Sequence, residues 1–532
     1  MSTLRATAVV AVFTIASKVL GAVKLAALGH NLGAGQEMDI FVAAFRLPDL
    51  LFNFLILGTL SVAFIPVFVG YLGQDKGEAF KIASTIFNLT LLVMAFFAVL
   101  GFFLAPALVK VIAPGFSEGA RGQTVGITRI LMLSPLMFSL SSVLTSILHS
   151  FKRFFVAAAA PLFYNLSIIF GVVYLYPRFG LAGLGWAVVG GAFLHFCFQL
   201  PAAFRLGFRP FRAINLAHAG VKKIGRLFVP RILALDLGQI SLLVATVIGS
   251  TLQAGSLAGF YFAYELETVP VGIFAMSFAI ASFPTLAEFL GKGDQEGFKK
   301  FFSTTAVQIL FLIIPISVLM LLLRAQITRL IPGAGEGTRF TFEDTRVTAQ
   351  ALGFFALSLF SQSLVPLLAR AFFALQNTIT PLITSTVAAA VNIALAAIFT
   401  RFGSASALAL AFSAASMLNM LLLFFLLRRR LGGDLEDDFL ILRTLKIGVA
   451  SVIMAIATYL TMYLVAPLVD MQTYFGVLIQ TLAAATVALI TYLAAGLVIR
   501  LPETRQTLEI VKIWFGKLSR PLTSAIVSMF EP

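Results

Sequence analysis

The strongest constraint on this chain is its unbroken succession of long apolar runs. A bilayer hydrocarbon core of ~30 Å is crossed by about 20 apolar residues in a helix. Runs of that kind cover residues 6–29, 38–72, 82–113, 124–150, 156–176, 181–204, 224–252, 258–290, 301–331, 347–375, 379–400, 404–427, 444–469 and 473–499. In hydrocarbon each backbone N–H and C=O must be paired inside its own segment, so such runs fold as helices. The sequence therefore predicts an all-α polytopic membrane protein with about 14 transmembrane helices. A soluble alternative fails on charge: only 11% of the residues are charged, against roughly 25% in soluble domains. Several runs exceed the minimum length, so tilted or kinked helices are expected, with Pro48, Pro66, Pro106, Pro270 and Pro284 as kink points. The first run superficially resembles a signal peptide, with Arg5 ahead of apolar residues, but it continues past Lys18 and reads as a retained helix.

The net charge of +15 is carried between the apolar runs. With the N-terminus inside, the inner loops and tails collect 24 Lys and Arg, including Lys152, Arg153, Lys222, Lys223 and Arg428 to Arg430. The outer side holds only Arg121, Arg178, Arg329, Arg339, Arg346 and Arg401. This asymmetry places both termini in the cytoplasm. It also accounts for the basic charge without nucleic acid, since no basic patch with interleaved aromatics lies outside the runs. A single cysteine, Cys197, excludes an intrachain disulfide and a cysteine metal cluster, and the four histidines have no ligand spacing. The tail after Leu501 mixes basic residues with Leu508, Ile510, Val511, Trp514 and Phe515, and reads either as a helix on the inner membrane surface or as a solvated tail.

The chain also repeats itself. Ala34-Gly35 recurs as Ala254-Gly255, and the segment 64–81 matches 282–299 through Pro66/Pro284, Glu78/Glu296 and Phe80-Lys81/Phe298-Lys299. Pro161-Leu162 matches Pro381-Leu382, and Arg178-Phe179-Gly180 matches Arg401-Phe402-Gly403. The four offsets, 220, 218, 220 and 223, are collinear. Each repeat holds six spans, an even number, so both insert the same way round. The expected organisation is an N-terminal lobe at 1–220, a second lobe at 221–430, two added helices at 431–500 and an interfacial tail at 501–532. Two parallel lobes of this kind are a layout for alternating access.

A charge inside the membrane costs about 2.5–3.5 kcal/mol or more and needs a reason. The densest group is in the first two spans, with Lys18, Lys24, Asp39, Arg46 and Asp49. The second lobe places Arg231 and Asp236 at the start of span 7, and Glu265 and Glu267 in span 8. Lys18 and Lys24 are six residues apart, about 120° round a helix, so a straight helix would not aim both at one ligand. A cavity for an anionic headgroup such as a diphosphate would use Lys18, Lys24, Asp39, Arg46 and Arg231 for binding. Asp49, Asp236, Glu265 and Glu267 would serve gating or ion pairs. The plainer alternative leaves Arg46, Asp49 and Glu267 solvated near the membrane surface. Asp434 to Asp438 is an acidic loop segment without a second acidic cluster, so it does not make a Mg²⁺-diphosphate site. No metal site, nucleophile elbow or P-loop is present, which argues against an enzyme and against an ATP-driven pump.

Ser17-Lys18-x-x-Gly21-x-x-Lys24, Leu32-Gly33-Ala34-Gly35-x-x-x-Asp39 and Ala44-Phe45-Arg46-Leu47-Pro48 resemble the MviN/MurJ lipid II flippases. These belong to the multidrug/oligosaccharidyl-lipid/polysaccharide exporter superfamily. Ala113-Pro114-Gly115-Phe116, Gln199-Leu200-Pro201 and Gln376-Asn377-Thr378-x-x-Pro381 are similar too, and the resemblance runs through spans 1 to 12. It implies a transporter in the bacterial inner membrane that moves an undecaprenyl-diphosphate-linked peptidoglycan precursor to the outer leaflet. It further implies a tail groove at spans 13 and 14, no cofactor, and coupling to the membrane potential or an ion gradient without ATP. Lys18 and Lys24 stand where the family usually has arginine. Departures are Leu25, Phe52 and Leu57 at positions where charge is common, and Glu265 where an arginine that contacts diphosphate is typical.

The alternatives are an exporter of the same fold for another lipid-linked oligosaccharide or a cation, and a non-transporting scaffold whose basic inner loops dock cell-wall synthesis enzymes. Partners expected under the first reading are the lipid-linked glycopeptide and the bilayer, with wall-synthesis enzymes as a further candidate.

Overall fold

The computed structural model describes residues 3–55, 60–210, 214–233, 237–335, 337–402, 405–509 and 512. Leu57 and Asp236, Gly403 of the last repeat match, and most of the tail after Leu501 lie outside the described residues, as does the side chain of Arg231. Among the described residues the regular structure is helical, with no strand. Among the described residues ten helical stretches are long and apolar enough to cross a membrane, and Ala63–Leu72 and Gln239–Gly249 are shorter apolar helices. One stretch, Phe154–Arg205, is 52 residues long. It breaks at Gly180, whose φ of 59° and ψ of −152° interrupt the helix between the expected fifth and sixth spans.

The chain forms two compact units. The first comprises residues 1–265, 328–351 and 385–412, and the second comprises 266–327, 352–384 and 413–532. Among the described residues five helices, Ser256–Pro270, Arg324–Leu330, Phe342–Ala374, Ile379–Phe399 and Ala405–Arg430, contribute residues to both.

In the first unit Thr3–Leu32 packs on Phe154–Phe170, Leu133–Ser150 on Tyr176–Arg205, and Gln36–Leu55 on Glu118–Leu131. The core is aromatic. Phe64 and Phe68 stack at 5.1 Å, Phe68 reaches Phe80 at 5.9 Å, and Phe87 meets Phe208 at 5.7 Å, all among buried Ile82, Val143 and Leu144. In the second unit Asp437–Val465 pairs with Tyr474–Val498 and packs on Gln295–Leu322. Side chains such as Phe103, Tyr463 and Val498 point outward and exposed, as a lipid-facing surface requires.

The matched segments 64–81 and 282–299 carry similar local bonds, with the capping aspartates one position out of register. Asp75 caps Lys76–Ile112 by accepting from Gly77 N at 2.7 Å, and Asp294 caps Gln295–Leu322 by accepting from Gly297 N at 2.8 Å. Glu78 pairs with Lys81 at 2.7 Å, as Glu296 pairs with Lys299 at 2.8 Å. A buried polar seam also recurs. In the first unit Ser141 shares a hydrogen bond with His195 at 2.7 Å, and Thr145 donates to Gln199 at 2.8 Å. In the second, Ser358 donates to Ser413 at 2.9 Å, and Ser361 meets Ser416 at 3.3 Å. These partners are separated by 54, 54, 55 and 55 residues. Hydroxyl pairs of this kind join helices where apolar contact gains nothing over lipid.

Candidate functional site

Charged side chains of the first unit converge on a cavity of about 270 Å³. Lys24 comes from Thr3–Leu32; Phe41, Arg46, Asp49 and Asn53 come from Gln36–Leu55. Tyr164 comes from Phe154–Phe170, Gln239 from Leu237–Gly249, and Tyr261, Tyr264 and Glu265 from Ser256–Pro270. Arg46 and Asp49 are three residues apart, so one helical face delivers both to the cavity. Arg46 is held in place: its Nε donates to Thr246 Oγ1 at 2.8 Å, and that hydroxyl donates to the Leu242 carbonyl at 2.9 Å. Asn53 Nδ2 donates to the backbone carbonyl of Asp49 at 2.8 Å. Lys24, Arg46 and Glu265 are the charges whose fields act on Asp49. With two cations and two acids, the lining carries both signs.

Asp39 is used differently. Its buried carboxylate accepts from Gly255 N at 2.6 Å and from Ala258 N at 2.7 Å, so it caps the start of Ser256–Pro270. A carboxylate at a helix N-terminus satisfies two orphan donors and complements the helix dipole. Asp39 does not line the cavity. The turn it holds requires glycine: Gly255 has φ +91°, and a Cβ there would lie 2.2 Å from the Ala34 carbonyl oxygen. Its repeat partner Gly35 has open space around a Cβ position.

Of the other predicted residues, Lys18 is exposed and does not line the cavity, and Thr3–Leu32 runs unbroken through both lysines. The structure thus brings together Lys24, Arg46, Asp49 and Glu265, and leaves Lys18 and Asp39 apart from them. Glu267, in the second unit, is fully buried, and neither carboxylate oxygen has a hydrogen-bond partner. Phe52 is half-buried and packs on Phe138, with ring centroids 5.5 Å apart. Leu25 is buried. Both uncharged departures therefore serve packing.

Sequence reasoning missed the neutral polar lining. Tyr261, Tyr264 and Glu265 share one helical face by their i, i+3, i+4 spacing, a signal that was available. Tyr164 and Gln239 carry no such mark. Arg370 was missed as well, although it is the lone charge in the run 347–375. It lies half-buried in the second unit, with Nη1 donating to the Pro366 carbonyl at 3.3 Å.

The second unit has a cleft of about 360 Å³ of opposite character. Phe302, Leu310, Leu364, Leu368, Met420 and Leu440 line it, and Thr444 is the one polar side chain in the lining.

A family model described as "Lipid II flippase MurJ" matches residues 28–483, most of the chain. The chain belongs to the MurJ family. Among its relatives, a probable lipid II flippase MurJ of Buchnera aphidicola is 27% identical over 502 residues, covering 93% of this chain and 96% of that protein. The lipid II flippase MurJ of Burkholderia cenocepacia is 28% identical over 439 residues, covering 81% and 84%. A solved structure of lipid II flippase MurJ in an inward closed conformation superposes with a TM-score of 0.76 at 25% identity, over 92% of this chain and 98% of that one. An inward-facing multidrug resistance MATE transporter of the MOP superfamily shares the fold, with a TM-score of 0.64 at 16% identity. Other MurJ motif positions have structural work here. A Cβ at Gly115 would lie 2.3 Å from the Ser250 carbonyl oxygen, and Asn377 caps Ile379–Phe399 through Thr380 N at 3.0 Å.

Proposed function

We propose that this member of the MurJ family flips lipid II, the undecaprenyl-diphosphate-linked peptidoglycan precursor, from the inner to the outer leaflet by alternating access. The observation that carries the reading is the cavity in which Lys24 and Arg46 stand beside Asp49, Glu265 and three tyrosines. A diphosphate takes charge-assisted hydrogen bonds from a lysine and an arginine, and a sugar takes hydrogen bonds from phenols, carboxylates and an amide. The apolar cleft of the second unit, to which the added helix Asp437–Val465 contributes Leu440 and Thr444, takes the prenyl chain. Asp39 acts as a gate residue, because its bonds to Gly255 and Ala258 tie Gln36–Leu55 to Ser256–Pro270. The protein is a transporter of the bacterial inner membrane with both termini in the cytoplasm. It works without ATP, driven by the membrane potential or an ion gradient, and it serves cell-wall synthesis enzymes downstream. The repeat supplies the two parallel lobes that alternate, with residues 431–500 added for the lipid tail.

The test is rescue of a flippase-depleted bacterium, scored with a leaflet-accessibility assay for lipid II. Wild type restores growth and outer-leaflet lipid II, Lys24→Ala does not, and Lys18→Ala has the smaller effect. Failure of a correctly inserted wild-type protein to rescue overturns the reading. Glu265 favours a second one, in which the headgroup is a different lipid-linked oligosaccharide. Glu265→Arg separates the two: a gain of lipid II flipping in a protein that wild type lacks would support the altered cargo.

A further inference from the structure

Glu267 is an acid that the cavity does not use. It follows Glu265 by two residues, about 200° round the helix, so it faces away from the side that lines the cavity. It lies 11 residues, about 16 Å along the axis, into Ser256–Gly291, a helical stretch long and apolar enough to cross a membrane. It is 0% exposed, and both oxygens lack a hydrogen-bond partner. Gln36–Leu55, which bears Glu37, caps the helix start with Asp39 and presents Arg46 and Asp49 to the cavity, and Gly249 of Leu237–Gly249 lies near Leu257. Besides these, two helices reach Ser256–Pro270, through Thr348 near Gly259 and through Phe412 against Tyr264. The first carries Glu343, Asp344 and Arg346 at one end and Arg370 at the other, and the second carries Arg428 to Arg430 at its far end. Neither has a charged or titratable side chain between those ends. On its own helix the neighbouring titratable groups are Tyr261, Tyr264 and Glu265, all lining the cavity.

A carboxylate with neither water nor donor is strongly disfavoured, whereas the neutral acid is tolerated. A metal cation would need several oxygens around it. Among the described residues no group of three acidic, histidine or cysteine side chains could hold one, and neither oxygen of Glu267 has a hydrogen-bond partner. Three residues further on, Pro270 removes a backbone donor, and Val271–Ala275 follows as a π-helical turn. Such a break is a place where a helix can bend and where function concentrates. We propose that Glu267 is a proton-binding site within the membrane, loaded in the conformation described here and emptied when the helix bends at Pro270 and admits water. Proton release during a transport cycle rests on the flippase reading; proton binding by the side chain does not.

The experiment is infrared spectroscopy on the purified full-length protein, without cargo, with ¹³C-labelled glutamate to separate glutamic from aspartic acid. The wild type at neutral pH should show a protonated-carboxyl band that moves on labelling, survives in E265Q, is lost in E267Q and disappears as the pH is raised. The proposal is overturned if labelled wild type has no such band at neutral pH, if the band survives in E267Q, or if it is lost in E265Q. It is also overturned if sodium discharges the band at fixed pH, which would mark a metal-cation site. Should E267Q fail to fold, the labelled wild type and E265Q decide the matter between them. In vesicles, a wild type that binds the proton yet flips lipid II equally well with or without a pH gradient retains the site and removes its role in coupling.

Discussion

The cavity of the first unit and the cleft of the second are of similar size, about 270 and 360 Å³, and of opposite chemistry. One presents Lys24, Arg46, Asp49, Glu265 and three phenols; the other presents leucine, phenylalanine and methionine with a single hydroxyl. The difference follows from what each lining must avoid. Charged groups within a membrane survive only where they are paired, hydrogen-bonded or wetted, so Arg46 is anchored on Thr246 and Asp49 is set among cations. The cleft has no polar group to satisfy and can stay open to any apolar chain. A cargo with a charged head and an apolar tail needs both kinds of surface, and neither alone would select it.

The largest expected effect is in the charged cavity. Lys24→Glu would leave three acids against Arg46, and loss of a charge-assisted contact worth about 1.5–3 kcal/mol predicts a fall in transport of about 10- to 100-fold. Flipping assays on a long-chain substrate and on a short-chain analogue should show the same loss, because the head is common to both. Next comes the support of the cavity wall. Asp39→Ala leaves the N–H groups of Gly255 and Ala258 unsatisfied, at about 1–3 kcal/mol each, so the purified protein should melt at lower temperature. Asp39→Asn, which keeps one acceptor oxygen, should recover part of that loss. Equal melting of wild type and Asp39→Ala would remove Asp39 from the wall.

How far these regions could be read in advance depended on the physics that made them. The helices were legible because hydrocarbon leaves the backbone no other choice, and the described helices occupy the apolar runs, among them Gln295–Leu322 and Tyr474–Val498. The repeat was legible because its turns reuse the same bonds, such as Glu78 with Lys81 and Glu296 with Lys299. Charge marked Lys24, Arg46, Asp49 and Glu265, since an intramembrane charge stands out against apolar neighbours. It could not tell a lining residue from a scaffolding one. Asp39 carries the same mark and is spent on two backbone amides, a contact across 216 and 219 positions that no local spacing reveals. The phenol of Tyr164 was illegible for the opposite reason, because a tyrosine with no charged neighbour on its face is as ordinary in an apolar run as at a cavity wall. The cleft was invisible for the same cause: leucines that line a gap are written no differently from leucines that fill one.

The cleft supplies the smaller effects and the sharper discrimination. Leu364→Gln places an amide among apolar walls from a half-buried position, so the fold should tolerate it. Each buried methylene of a cargo chain is worth about 0.8 kcal/mol, and losing contact with one or two predicts a drop of roughly 4- to 15-fold for the long-chain substrate. The short-chain analogue, which has little prenyl chain to place against apolar walls, should be unaffected. Thr444→Val removes the only hydroxyl of the lining without changing its shape, so transport should stay within about 2-fold of wild type, and long-chain cargo should if anything gain. The comparison breaks if Leu364→Gln slows both substrates alike, because the cleft would then matter to the protein's own packing and not to the cargo. It breaks the other way if Lys24→Glu spares the short analogue, since the charged cavity would then depend on the tail for its grip on the head.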